Sequence, residues 1–398
     1  MGRIYHWLLH DAKFLGTYYT SVPAATLLLK LALATDRWTL PWEDVSALKE
    51  FKVADLACGT GTLLMATSQA LTDNFIRCSA LAGRPVDDAA LRELHRALME
   101  NLIHGYDVLP SAIHLTASTL ALLAPEIAFR KMQLYSLPLG KLARNIHLGS
   151  IDYLGSSVVQ TQFDLMGGAP GEAAAAVTGK GLIASEAPLP DLDLCVMNPP
   201  FVRSVGGNLL FGSMSEPDRA EMQKELRKIL SAKDGEPVLA NTNAGLGSVF
   251  TAIADRHIKP GGRLALVLPA ALATGVSWAA TRALIQQKYD LETVITSHEA
   301  DRWNFSENTD LSEVLVIARK KKSGGSDNRA AVFVNLWLNP KTSAEALAVA
   351  DAISRTKAAE IGTRSDPKFG VSSLFVGERR IGEALSVPVG GVSPVPWL

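Results

Sequence analysis

The chain has 398 residues, 47% hydrophobic and 20% charged, with a formal net charge of −1. This is the balance of a soluble globular protein with one large core or two modest ones, and near-neutrality gives no global basic field for nucleic acid. Three cysteines, Cys58, Cys78 and Cys195, make no disulfide framework and have no metal spacing; with no signal-peptide pattern and no bilayer-length apolar run, the expectation is a reduced, cytoplasmic protein without a membrane span or metal.

In chain order, Thr20 or Ser21 is placed to cap a helix that starts near Pro23 and runs apolar to Ala34. His6 and His10 share a helix face, a spacing that without further ligands suits surface or packing roles. Val53 to Thr62, V-A-D-L-A-C-G-T-G-T, reads as a short strand running into Gly59-Thr60-Gly61, with a helix from Thr62 through Ala70. Glycines in a strand-to-helix turn let a ligand approach backbone N–H groups. The third glycine of the dinucleotide fingerprint is absent, because position 64 is Leu. An amphipathic helix over 87–100, a strand over 101–108 ending near Asp107, and a helix over 110–123 follow. Asn145 to Leu154 reads as a further strand end, and 167–190, rich in Gly, Ala and Pro, as a flexible surface insertion.

Leu192 to Phe201, L-D-L-C-V-M-N-P-P-F, is a buried strand that stops at Asn198. Pro199 and Pro200 cannot continue the ladder, lacking an N–H and having a fixed φ. The result is a stiff turn at the carboxyl end of a strand, where open α/β sheets bind ligands. It offers one amide, backbone carbonyls and an aromatic face, but no acid, base or nucleophile. That set suits a flat heterocycle carrying an amino group. Beyond it come a loop over 206–212, helices over 216–230, 245–258 and 271–288, and strands over 263–268, 291–297 and 312–319. A linker over 323–329, a strand over 331–338, a helix over 343–361 and a Pro/Gly-rich tail from Val387 complete the chain.

Asp55 four residues before Gly59, followed much later by Asn198-Pro199-Pro200-Phe201, resembles the class I S-adenosylmethionine-dependent methyltransferases, specifically the N-6 adenine DNA methylases. Their first motif, D-x-x-C-G-x-G, binds the cofactor; their second, [DNS]-P-P-[YFW], binds the target base. Gly16 to Thr20 is similar to their G-x-[YF]-[YF]-T-P motif, with Ser-Val-Pro in place of a direct Thr-Pro. The resemblance covers about residues 14–320. It implies an α/β fold with a mixed seven-stranded sheet and helices on both faces. It implies a methyltransferase domain over 1–322, with a helical lead-in over 1–50, and a C-terminal extension over 323–398.

By the same resemblance, S-adenosylmethionine is held by Tyr18, Thr20, Asp55, Ala57, Gly59, Gly61 and Asp107. Asp107 is placed for the two ribose hydroxyls, the alternative being a helix cap. Ser150 stands where an acid or amide usually meets the cofactor adenine, and Asp152 is the substitute two residues on. Asn198, Pro199, Pro200 and Phe201 form the catalytic set. The implied reaction methylates a flipped adenine in DNA, within restriction-modification or phage defence. Two other readings stand beside it: an amino-group methylase of ribosomal RNA or of a protein glutamine, and a non-catalytic cofactor-binding subunit. The neutral charge and the short stretch after Lys322 point to a partner specificity subunit, or a recognition region beyond this chain, for DNA readout. Arg203, Arg219 and Arg302 are the alternative, as a local basic patch.

Overall fold

Alternation along the apolar strands places a core on each side of one sheet. In Leu192–Met197, Leu194 and Val196 enter one core while Leu192, Cys195 and Met197 enter the other. Ala265 and Val267 face oppositely to Leu264, Leu266 and Leu268 in the same way. A strand buried on both faces needs apolar residues at every position, which explains these unbroken runs.

The computed structural model describes residues 19–142, 145–155, 158–159, 174–178, 181–202, 210–212, 214–231, 238–300, 302–307, 309, 311–322, 330–356, 371–388 and 397. His6, His10, Tyr18, Arg203, residues 206–209 and the linker 323–329 lie outside them.

Among the described residues the main sheet has twelve strands. In chain order they are β1 (Val53–Asp55), β2 (Ile103–Asp107), β3 (Lys131–Ser136), β4 (Ala175–Thr178), β5 (Gly181–Ala184), β6 (Leu192–Met197) and β7 (Ile258–Pro269). β8 (Tyr289–Ser297), β9 (Glu313–Lys320), β10 (Ala330–Leu336), β11 (Ser372–Val376) and β12 (Arg379–Pro388) follow. The spatial order is β11-β12-β10-β8-β9-β7-β6-β1-β2-β3-β4-β5. The central strands β7, β6, β1, β2 and β3 are mutually parallel, and β9 enters antiparallel between β7 and β8.

The main helices are α1 (Val22–Ala32), α2 (Thr62–Leu81), α3 (Asp88–Ala97), α4 (Pro110–Ala121), α5 (Glu216–Leu230), α6 (Leu246–His257), α7 (Ala279–Lys288) and α8 (Ser343–Arg355). Helices α1, α2, α3, α4 and α8 contribute to one core; α5, α6 and α7 contribute to the other. The α/β sheet with helices on both faces is therefore as expected.

The strand count is corrected from seven to twelve. Seven strands, β8-β9-β7-β6-β1-β2-β3, make the expected centre, and both edges are extended. On one side the hairpin β4–β5 pairs with β3. It falls in the stretch expected to be a flexible insertion, where buried alanines such as Ala175 and Ala176 carry too little hydrophobic contrast to mark a strand. On the other side β10 pairs parallel with β8, and β12 then β11 follow. The extension after residue 322 thus adds its described strands to the same sheet, and Val387 belongs to a strand rather than a structureless tail. The third parallel strand is Lys131–Ser136, not Asn145–Leu154. Residues 145–148 instead form a hairpin with Leu139–Leu142, and Gly149–Leu154 is a short 3-10 turn. The helix expected over 271–288 breaks at Gly275, where an added Cβ would meet the Ala271 carbonyl at 2.8 Å.

Candidate active site

β1 ends on Asp55, and the chain turns through residues 56–61 into α2. Gly61 caps α2 at φ 81°, a left-handed conformation that glycine adopts without strain. A Cβ there would lie 2.9 Å from Thr116 Cγ2 on α4. Gly59 has φ 54°, and a Cβ on it would meet nothing within 4 Å, because it borders the pocket. The turn is fastened from behind. Cys58 N–H donates to the Tyr106 carbonyl at 2.9 Å, and the Thr116 hydroxyl donates to the Gly59 carbonyl at 2.9 Å.

Two carboxylates face this turn. Asp55, 1% exposed, accepts the Ala57 N–H at 3.0 Å. Asp107, at the end of β2, accepts the Gly59 N–H at 2.9 Å on one oxygen and the Leu109 N–H at 2.9 Å on the other. The Leu109 bond fixes a local turn ahead of α4, whose own N-cap makes no side-chain bond. Burial pushes Asp55 up to about 8, with a backbone hydrogen bond working against it and the neighbouring Asp107 adding to it. Burial also raises Asp107, against three backbone hydrogen bonds. Two buried acids in one pocket favour a ligand that brings positive charge.

The opposite wall holds Asn198, just past the end of β6. Its Nδ2 donates to the Thr20 hydroxyl at 2.9 Å and to the Ser306 hydroxyl at 2.9 Å. Those hydroxyls sit on a two-strand ladder in which Tyr19–Thr20 pairs antiparallel with Ser306–Glu307. With the NH2 end so held, Asn198 Oδ1 is buried and has no hydrogen-bond partner among the described residues. A buried acceptor in this state is ready for a donor from a ligand.

One pocket joins the two walls. Of the residues singled out from sequence, Thr20, Asp55, Ala57, Gly59, Asp107, Ser150, Asn198 and Pro200 line it. Gly61, Pro199, Phe201 and Asp152 are not in its lining. Gly61 instead shapes the turn, and Phe201 is 7% exposed. Asp152 accepts the Leu148 N–H at 3.0 Å and sits 3.8 Å from His147 Nδ1. The Ser150 hydroxyl donates to the Leu56 carbonyl at 2.6 Å. Tyr19, Phe211 and Phe250 line the pocket without having been singled out from sequence. Phe211, at φ 60°, is the one non-glycine residue with positive φ among the described residues, and no sequence pattern announces it. Of the basic trio, Arg219 lies in α5 and Arg302 in the loop after β8, and neither lines the pocket. Among the described residues no group of three or more His, Cys, Asp or Glu is placed to hold a metal, and no helix is long and apolar enough to cross a membrane.

No protein-family model and no curated protein matches the chain. Solved structures match it in fold at low identity. A cryo-electron-microscopy DrdV–DNA complex has a TM-score of 0.50 and 12% identity, covering 92% of this chain and 32% of that one. The ATP-dependent Type ISP restriction-modification enzyme LlaBIII bound to DNA has a TM-score of 0.50 and 11% identity, covering 83% and 21%. The type I restriction-modification system methyltransferase subunit from Streptococcus thermophilus has a TM-score of 0.47 and 16% identity, covering 89% and 57%. The chain therefore spans little more than half the length of that subunit.

Proposed function

We propose that this chain, which has the class I methyltransferase fold, moves a methyl group from S-adenosylmethionine to the exocyclic N6 amine of an adenine flipped out of DNA. One observation carries the reading. Asn198, whose buried Oδ1 has no hydrogen-bond partner among the described residues, lines the same pocket as the acid-lined glycine turn. The site fits the cofactor on its own terms. Gly59 leaves open space for a ligand against the backbone, and Asp55 and Asp107 place two buried carboxyl groups there whose ionised forms a cationic ligand favours.

In this reading Asp107 accepts the ribose hydroxyls, since each carboxylate oxygen keeps a lone pair beyond its backbone bond. Asp55 and Thr20 face the methionine end. Leu148, Ser150 and Ile151 border the adenine, with the Ser150 hydroxyl already given to Leu56. When bound, S-adenosylmethionine supplies an activated methyl on a sulfonium. The adenine amine is a weak nucleophile because its lone pair is delocalised into the ring. Asn198 Oδ1 and the Pro199 carbonyl accept its two N–H bonds and draw it toward tetrahedral geometry. Positioning and fixed dipoles therefore do most of the catalysis. Phe201 is assigned the stacking face, with Phe211, which lines the pocket, as its competitor; alanine at each separates them. A base inside a duplex is unreachable, so flipping must precede transfer. DNA, read through a specificity subunit or further recognition region, is the proposed partner, and the cytoplasm the proposed compartment.

The test is labelled methyl transfer to genomic DNA followed by digestion to nucleosides. N6-methyladenine is the expected product. Label appearing only in ribosomal RNA or in a release-factor glutamine would move the substrate to the other amino-group methylases. Cofactor binding without turnover on any of the three would make the chain a binding subunit.

A further inference from the structure

Glu313 opens β9 and is 1% exposed, yet it does not line the pocket. One of its oxygens accepts two consecutive backbone N–H groups, from Phe305 and Ser306, both at 2.7 Å. The Ser306 side chain lies against the same carboxylate and works to lower its pKa, while the second oxygen, Oε1, is buried without a hydrogen-bond partner among the described residues. Burial raises the carboxyl pKa to about 7 against these contacts. Placing a carboxylate in a core with no cation beside it among the described residues is costly, so holding two loop amides is a weak reason for it.

A stronger reason comes from Ser306. Its backbone pairs with Thr20, and its hydroxyl receives the Asn198 amide. The ladder continues one bond further, from Ser21 N–H to the Phe305 carbonyl at 3.1 Å. A serine hydroxyl has one proton to give. Committed to Glu313, it only accepts from Asn198, so the amide must turn its NH2 toward Ser306 and its oxygen away. Without the carboxylate the hydroxyl is free to donate, and the amide is free to turn over. A turned-over amide would set an N–H donor against the donor amine of the base.

We propose that Glu313 is a positioning residue for methyl transfer, setting through Ser306 which end of the Asn198 amide faces the target amine. The inference rests on the base-methylation reading above, and its test separates the two. Initial rates on DNA and calorimetric cofactor affinity are measured for the parent and for Glu313→Leu, Glu313→Gln and Ser306→Ala. Glu313→Leu should lower kcat by about ten- to a hundred-fold, the scale of a misplaced reacting group. Cofactor Kd should stay within about twofold, since the glycine turn, Asp55 and Asp107 are untouched. Glu313→Gln should restore most of the rate, because the amide keeps an oxygen that accepts the same bonds. Ser306→Ala should lose kcat alone, as Glu313→Leu does, and it tests the relay even if the leucine variant fails to fold. Parental kcat in Ser306→Ala, or a glutamine variant as slow as the leucine variant, overturns the inference. A parent that methylates no acceptor overturns the base-methylation reading instead.

Discussion

The two walls of the pocket are built in opposite ways. On the glycine-turn wall the polar groups are already paired with one another: Asp107 with Gly59 and Leu109, Asp55 with Ala57, Thr116 with Gly59. Most of it comes from residues 55–61 and the adjoining β2 and α4. On the asparagine wall one amide is gripped by two hydroxyls brought from 178 and 108 residues away, and its oxygen has no described partner. The first wall is a finished cradle that a ligand joins. The second is a single acceptor held ready, which suits a group that must act on a transient guest.

Removing the acceptor should have the largest effect. Asn198→Ala is expected to lower the methylation rate by about 10²–10³-fold, the scale for a lost transition-state hydrogen-bond partner, with cofactor affinity nearly intact; rates and calorimetry together check it. Equal losses in rate and in cofactor binding would erase the distinction between the walls. Asp107→Ala should act the other way round. Losing a charged acceptor removes about 1.5–3 kcal/mol of cofactor binding, read as a raised Kd in calorimetry.

Burial of the acids should make the proposed cofactor binding sensitive to pH. Asp55 is pushed up to about 8, so at pH 7 it is mostly protonated in the free protein. A cationic ligand favours its ionised form, so binding should release a proton and tighten as pH rises toward 8. The gain is at most about tenfold per pH unit. Calorimetry in buffers of different ionisation heat should show proton release in the parent, and less of it in Asp55→Asn.

A smaller effect concerns the ligand-free protein. Asp55 and Glu313, at about 8 and about 7, both hold protons in the folded state that the unfolded chain releases near pH 4. Their contribution to stability is therefore full below the unfolded pKa and is lost as pH rises through the folded values, at no more than about 1.4 kcal/mol per pH unit each. Denaturant titrations from pH 5 to 8 should show a shallower decline for Glu313→Gln than for the parent.

The same contrast explains what could be read from sequence. The cradle is local, so Asp55, Gly59, Gly61 and Asp107 stand out as strand ends and turn glycines. Asn198 is legible because two prolines follow it at the end of an apolar strand. Its grip is not, because Thr20, Ser306 and Glu313 meet only through tertiary pairing and carry no motif. Phe211 and Phe250 are hidden in the same way, as ordinary aromatics brought to the pocket by the fold. The central strands were legible from their two-sided apolar runs, whereas Lys131–Ser136 interleaves polar residues and the alanine hairpin β4–β5 lacks contrast.

The ladder between residues 19–20 and 306–307 also fixes an order of events during synthesis. Strands β1 and β2, with α2 and α4, leave the ribosome early and can close the cradle among near neighbours. The grip on Asn198 must wait until Ser306 and Glu313 have emerged, because contacts so distant along the chain form late. A polypeptide released before that point would carry every residue of the glycine turn and both acids, yet leave its amide unaligned. On the proposed reading, such a product would lack the aligned acceptor that methyl transfer needs.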